Sequence, residues 1–308
     1  MKDILKNLSS TKREIDIVTI VCDRDLPLLK IQLESFYKHV AEECFHEYVI
    51  IVNGNDLLKK YISNVICGYH NKIRVLTAIE IANNDNIAQV DGYISQQILK
   101  LLYSRRTEAN NYLVLDAKNH FIRSYGFDDI YNSNKLISAK EYLGGGYLRN
   151  CFIRSARVLE CDEPRQDSDF IIIPTVTPYL INSSCCRGLI EYIENKYQNN
   201  FVDIFSKNLN NCTEFYLYYN WIKKCNKINE LYEFKPKKYV TLFSRFPQDH
   251  NVCKDLLMKT IVSDIKIFGL HGARIEQLDN IEKMMILDIY DRAGLGEQIR
   301  ELLSIYCL

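Results

Sequence analysis

The chain has 308 residues, of which 47% are hydrophobic and 25% charged, enough apolar content for one large core or two small ones. Its 39 Lys and Arg balance its 39 Asp and Glu, which removes the strongly basic signature of a nucleic-acid binder. No apolar run reaches the roughly 18 residues of a membrane helix. Met1 to Glu14 is polar and reads as a frayed or helical lead-in with no secretory signal. The 11 cysteines show no C-x-x-C spacing, so they read as reduced thiols of a cytoplasmic protein, several buried, and not as a zinc site.

Ile15 to Cys22 (IDIVTIVC) is a β-branched run and predicts a first strand. It ends on Asp23-Arg24-Asp25, and Pro27 suits the first turn of the helix that follows. Glu47 to Asn53 predicts a second strand with Asn53-Gly54-Asn55-Asp56 as its turn. Leu57 to Ile66 reads as a helix and Lys72 to Thr77 as a third strand. This β-α-β-α-β opening predicts a doubly wound parallel sheet. Neither G-x-G-x-x-G nor G-x-x-x-x-G-K-[ST] occurs, which argues against a dinucleotide fingerprint and a P-loop.

Residues 80 to 92 read as a polar loop. Tyr93 to Ser104 predicts an amphipathic helix with Ile94, Ile98, Leu101 and Leu102 on one face and Gln96, Gln97 and Lys100 as its polar members. Tyr112 to Asp116 (YLVLD) is an apolar run ending in a polar cluster, the pattern of a buried central strand. Asp128 to Ser138 reads as irregular, and Gly144-Gly145-Gly146 as a flexible or closely approached backbone. Phe170 to Pro174 predicts a strand and Cys186 to Tyr197 a helix. Thr213 reads as the N-cap of a helix over Phe215 to Lys224. Tyr239 to Phe243 and Ser263 to Leu270 predict strands, and residues 276 to 308 read as helical with a break at Gly294/Gly296.

In open α/β sheets, ligands collect at the carboxyl ends of strands. Asp116 stands there, and suits a divalent metal or a ribose hydroxyl, or else a plain turn cap. Lys118 brings a positive charge that neutralises phosphate directly; the bland alternative is a solvated lysine. Asn119 offers a neutral oxygen. His271, beside Gly272 and Arg274, ends a late strand and suits diphosphate or metal, against the commoner structural histidine. Glu214 suits a general base, against a first-turn glutamate held by the helix dipole. Asp23, Arg24 and Asp25 suit a base or ribose, or cap the first helix.

Two paired motifs carry a resemblance. Gly92 to Leu101 reads G-Y-x-x-Q-Q-x-L-K-L, and Tyr112 to Phe121 reads Y-L-V-L-D-x-x-N-x-F. Thr177-Pro178, Thr213-Glu214-Phe215-x-Leu217-Tyr218 and Ile267-Phe268-Gly269-Leu270-His271 add to it. On these the sequence resembles GT-A-fold glycosyltransferases, specifically a poorly characterised bacterial glycosyltransferase-like family. The resemblance implies a GT-A-like α/β fold over residues 1–275, with 276–308 as a C-terminal helical extension of the same domain.

The implied activity moves a sugar from a nucleotide-sugar donor, UDP-sugar by default, to a saccharide or glycolipid acceptor. The implied setting is bacterial surface polysaccharide synthesis (capsule or lipopolysaccharide), in the cytoplasm or at the inner face of the membrane. The positions carried over for the donor are Asp23, Arg24, Asn53, Tyr93, Gln97, Lys100, Asp116, Lys118, Asn119, His271 and Arg274. Glu214 matches the base of inverting enzymes. Asp116-Ala117-Lys118 stands where the family has D-x-D, so the second acid is lost. Two alternatives follow: a divalent metal (Mn or Mg) on Asp116 and His271 with Asn119, or Lys118 in place of the metal. The rival readings are a sugar-phosphate nucleotidyltransferase and a non-catalytic saccharide-binding or scaffold protein.

Overall fold

The computed structural model describes residues 15–66, 72–163, 170–209 and 211–306; the expected lead-in before Ile15 lies outside them. Ile15–Val21 (β1) is buried at every position, as a strand covered on both faces must be. Its one charged member, Asp16, accepts hydrogen bonds from Tyr103 (2.7 Å) and Thr107 and lies 3.0 Å from Nδ1 of His46. Tyr48–Val52 (β2) pairs with it in parallel, and Ile73–Thr77 (β3) pairs in parallel with β2. Asn111–Asp116 (β4) adds in parallel on the other side of β1. The growth of the sheet therefore reverses between β1 and β4, the kind of switch point where ligands sit.

The helices between these strands are Leu26–His39 (α1), Asp56–Val65 (α2), Ala78–Ala82 (α3) and Gly92–Leu102 (α4). The first α/β half thus forms as the sequence pattern predicts, with one correction. Residues 80 to 92 are not a loop: Thr77 and Glu80 form a reciprocal capping box that starts α3, and a 3-10 turn follows over Asp85–Gln89. The Thr77-x-x-Glu80 spacing was the legible signal.

After β4 the chain leaves the main sheet. Asn119–Phe121 (β5) pairs with Ile267–Leu270 (β13), which pairs with Tyr239–Leu242 (β12). Asp116 to Asn119 is therefore the crossing between two sheets. Tyr131–Asn132 (β6) and Lys135–Ser138 (β7) form a hairpin. This corrects the irregular reading of 128–138: Ser133 and Asn134 take positive φ of 46° and 76° at its turn, as short primed-type turns require. Tyr232–Phe234 (β11) joins β7, and Glu141–Tyr142 (β8) pairs with Ile171–Ile172 (β9). Tyr179–Asn182 (β10) closes the main sheet antiparallel to β4, an edge that the sequence pattern did not predict.

Gly144 to Gly146 are not closely approached, since a Cβ there meets nothing within 4 Å; Gly146 has φ of +61° and opens the unpredicted helix Gly146–Val158 (α5). Ser183–Tyr197 (α6), Glu214–Lys224 (α7) and His250–Val262 (α8) follow. Asn280–Arg292 (α9) and Gly296–Tyr306 (α10) end the fold. These last helices dock on the core: the Tyr290 hydroxyl donates to Nδ1 of His120 on β5, Lys38 reaches the Gly294 carbonyl at 2.9 Å, and Lys30 pairs with Glu301 at 2.8 Å.

His120 is fully buried. Its Nε2 lies 3.2 Å from the Leu28 carbonyl, and burial pulls its pKa down to about 4. Below its ordinary value of about 6.5 the unfolded chain takes up a proton that the folded chain refuses. Stability is then lost as pH falls from about 6.5 toward 4, by about 3 kcal/mol for this group. Urea unfolding at pH 7.0 and 4.5 measures the loss, and NMR should show the ring neutral through pH 5. A His120 titration near 6.5 would overturn this account.

Candidate active site

The carboxyl end of β4 is fixed before any side chain acts. Gln32 on α1 donates to the carbonyls of Asp116 (2.8 Å) and Asn119 (2.9 Å), and its own oxygen accepts from Tyr48 (2.7 Å). Asn119 takes the Asp116 amide at 2.8 Å. The Leu270 amide donates to the Lys118 carbonyl at 3.0 Å, so β13 pins the turn from the other sheet. The Asp116 carboxylate is then aimed out of the strand end, 27% exposed.

Lys100 on α4 lies 3.1 Å from Oδ1 of Asp116 and 3.0 Å from Oε1 of Glu214. Its side chain is only 8% exposed and that of Glu214 only 6%. Lys118 pairs with Oδ2 of Asp116, which also accepts from the Thr177 hydroxyl at 2.9 Å. Glu214 opens α7, where the Thr213 hydroxyl accepts the Tyr216 amide at 3.2 Å, as the predicted N-cap should. The Phe215 ring lies 5.1 Å from the Lys100 ammonium, close enough for a cation–π contact.

Burial pushes the Asp116 pKa upward, but Lys100 and Lys118 outweigh it and hold the carboxyl well below its usual range. Burial likewise opposes the charge on Lys100, and Asp116 and Glu214 outweigh it, so its pKa lies above that of an ordinary lysine. The stability supplied by Asp116 is complete above about pH 4 and fades as pH falls through its folded value; that of Lys100 is complete below about pH 10 and fades only at higher pH. Asp116 and Lys100 therefore keep their charges across the neutral range.

Other predicted positions stand at the same face. Asp23 and Arg24 are exposed at the end of β1, while Asp25 turns back to accept the Cys22 amide at 3.0 Å. His271 follows β13. Burial, then the charges of Lys118 and Arg24, lower its pKa, and its Nδ1 accepts the Ala273 amide at 3.2 Å. Asn53 fastens α4 to the end of β2 through Ser95 (2.7 Å) and the Gly92 carbonyl (3.2 Å). It also lines a cleft of about 540 Å³ with Gly54, Thr77 and Gly92. Tyr93 is exposed at the start of α4.

Three donor-contact expectations need correction. Arg274 is 2% exposed and lies among Cys253 and Glu282, inside the contact between α8 and α9 and away from the strand ends. Gln97 is buried in the packing face of α4, its Oε1 without a hydrogen-bond partner among the described residues. Asn119 is fully buried and spends its side chain on the Asp116 amide and the Thr177 carbonyl (3.4 Å), so it positions the turn. Thr177 and Gln32 were missed as site residues. The Thr177-Pro178 motif offered a signal for the first; nothing in the sequence marked the second.

Of the two alternatives, a divalent metal on Asp116 and His271 with Asn119 does not fit these residues. Both oxygens of Asp116 already face ammonium groups, and His271 has one nitrogen committed to a backbone amide. A divalent ion needs several oxygen donors, and each neighbouring lysine repels it. Among the described residues the grouping of metal-type side chains is elsewhere, at His250, Asp279 and Glu282. There Asp279 and Glu282 cap α9 reciprocally and Lys254 holds Asp279 at 2.8 Å, which a structural cap explains.

Lys100→Met leaves Glu214 buried without its counter-charge. Unfolding measurements should show a loss of about 3–5 kcal/mol, against a smaller loss for Lys118→Ala, which leaves Asp116 its Lys100 and Thr177 contacts. A loss under about 1 kcal/mol for Lys100→Met would show that the ammonium does not bridge the two acids. Lys118→Ala should also raise the His271 pKa, read by NMR titration; an unchanged value would separate the two groups.

No curated protein matches the chain. In the solved structures it is similar to mouse xyloside xylosyltransferase 1 in its apo form, at 11% identity and a TM-score of 0.44, over 83% of this chain and 97% of that one. The family described as a family of unknown function, DUF6492, matches residues 12–250. The chain belongs to that family.

Proposed function

We propose that the chain is a glycosyltransferase that moves a sugar from a nucleotide sugar, UDP-sugar by default, to a saccharide or glycolipid acceptor. The observation that carries this reading is Lys100, which ties Asp116 and Glu214 into one site at the switch point of the sheet. The sequence motifs that resemble GT-A enzymes converge on the same residues. Asn53 and Thr77 line the cleft at the ends of β2 and β3, which this reading gives to the nucleoside.

The leaving diphosphate develops negative charge as the glycosidic bond breaks. Lys118 neutralises it by exchanging Asp116 for phosphate oxygen, and Arg24 adds charge from β1. Glu214 accepts the proton of the incoming hydroxyl through Oε2, while Oε1 stays on Lys100. Attack from the face opposite the leaving group gives inversion. The setting is bacterial surface polysaccharide synthesis, capsule or lipopolysaccharide, with the protein in the cytoplasm or at the inner membrane face; no described helix is long and apolar enough to cross a membrane.

The test is turnover of UDP-, GDP- and CMP-sugars, each with Mn²⁺ and with EDTA. Donor turnover should persist in EDTA. Lys118→Ala and Glu214→Gln should each lower kcat about a hundredfold or more, and NMR of the product should show inversion. No turnover and no thermal shift with any donor would favour the scaffold reading, in which the lysines permanently close the site. Turnover that EDTA abolishes would restore the metal.

A further inference from the structure

The main sheet and the smaller sheets do not close completely on one another. Where β4 and β10 face β7, β12 and β13, a cavity of about 60 Å³ remains, walled by Leu113, Ile137, Ile173, Pro178 and Ile267. Pro174 and Pro236 also stand in the wall, so half of the chain's 6 prolines frame this one space. Their fixed φ stiffens the frame, and a rigid, mostly apolar hollow with few polar groups is the form that small-molecule sites take. It opens at Pro236 and Lys237, which are exposed.

Two polar groups of the lining are left without close partners. Tyr179 is 2% exposed, and its hydroxyl has no hydrogen-bond partner among the described residues. A buried hydroxyl in that state costs stability, and a ligand that meets it accounts for its retention. Lys237 reaches Glu141 only at 3.9 Å and holds its ammonium 4.5 Å from the Tyr239 ring centre. Its neighbour Lys238 is instead held by Asp129 at 2.7 Å and Asp264 at 3.2 Å, which spends the acid of the lining. A hydroxyl without an acceptor and a loosely paired ammonium select the same group, an anionic oxygen. The size is restrictive as well. A dry cavity of about 150 Å³ takes one benzene, so about 60 Å³ takes two or three carbon atoms.

We infer that this cavity is a binding site for a short-chain alkyl carboxylate. The tail lies among Leu113, Ile173 and Ile267, and the carboxylate accepts from the Tyr179 hydroxyl and faces Lys237. In so small a space both groups are within reach of one ligand. The cavity is separate from the candidate active site but shares a wall with it: Thr177, next to Pro178, donates to Asp116 at 2.9 Å, and the Tyr179 ring stacks on Phe215, the neighbour of Glu214, with centroids 4.2 Å apart. The inference does not rest on the transferase reading, and its test needs no donor.

Methyl-labelled protein titrated with butyrate tests it by NMR. The Ile173 and Ile267 methyl signals should shift saturably, with a Kd in the millimolar range. 1-Butanol, which keeps the tail and loses the charge, should bind about tenfold more weakly. Benzoate, too wide for the cavity, should leave these methyls unmoved. Tyr179→Phe should weaken butyrate about tenfold and Lys237→Ala about threefold, while Lys237→Ala should leave butanol unchanged. Thermal melts check folding, and Tyr179→Phe should melt no lower than the wild type, because it removes a hydroxyl without a partner. Methyls that stay still with butyrate overturn the site. So does butanol or benzoate binding as well as butyrate, the first marking a plain apolar void and the second an ion pair at the surface. Either variant binding butyrate like wild type overturns the carboxylate contact, and a lower melting point for Tyr179→Phe would mean that water in the cavity already satisfies the hydroxyl and would overturn it too.

Discussion

Removing an ammonium from water costs several kcal/mol, and the cost is recovered only where opposite charges and hydrogen bonds are arranged to meet it. Lys100 meets that condition with one carboxylate on each side, from β4 and from α7, and an aromatic ring beside it. Its backbone is held as well, since Tyr112 donates to the Lys100 carbonyl at 2.9 Å. Two lysines and two acids then sum to zero within one small volume. This neutrality lets four charged groups share the edge of an apolar sheet. It also makes the position of α7 depend on the position of α4, although their chain segments are more than a hundred residues apart.

The second constraint is the crossing between the sheets. β4 ends in the main sheet and β5 begins in the other after only two residues, Ala117 and Lys118. So short a passage leaves backbone groups at a sheet edge with no ladder partner, and these must be satisfied from elsewhere. Gln32 satisfies two carbonyls, Asn119 one amide and Leu270 the carbonyl of Lys118. Packing demands of the fold thus determine where the Asp116 and Lys118 side chains project. Gly269 belongs to the same device: a Cβ there would lie 2.6 Å from the Thr241 hydroxyl on β12, so only glycine lets the two strands close behind the turn.

Much of the first half was legible in the sequence because its signals are local. β-branched runs, Pro27, the Asn53-Gly54 turn and the amphipathic period of α4 each act within a few residues. The polar members of α4 were legible as polar but not as buried, because burial of Lys100 depends on Glu214, which is distant in sequence. β10 was missed for a related reason: four residues at an antiparallel edge carry almost no periodicity of their own. Arg274 looked like a site residue because it follows a strand end. Its long side chain instead turns inward between α8 and α9, a choice that chain position alone does not determine.

The two lysines on Asp116 are not equivalent, and the difference bears on what the site can do. Lys100 cannot leave without stranding Glu214, which is almost fully buried, whereas Asp116 keeps Lys118 and the Thr177 hydroxyl. Lys118 pairs with Asp116 alone among these acids, sits on the turn, and is 15% exposed against 8% for Lys100. When Lys118 swings away, Asp116 retains the Lys100 ammonium and the Thr177 hydroxyl, so its charge stays compensated. Lys118 is thus the charge that can change partners at low cost, while Lys100 stays as a fixed brace. Any anion arriving at the strand end would compete for Lys118 with an acid that can spare it.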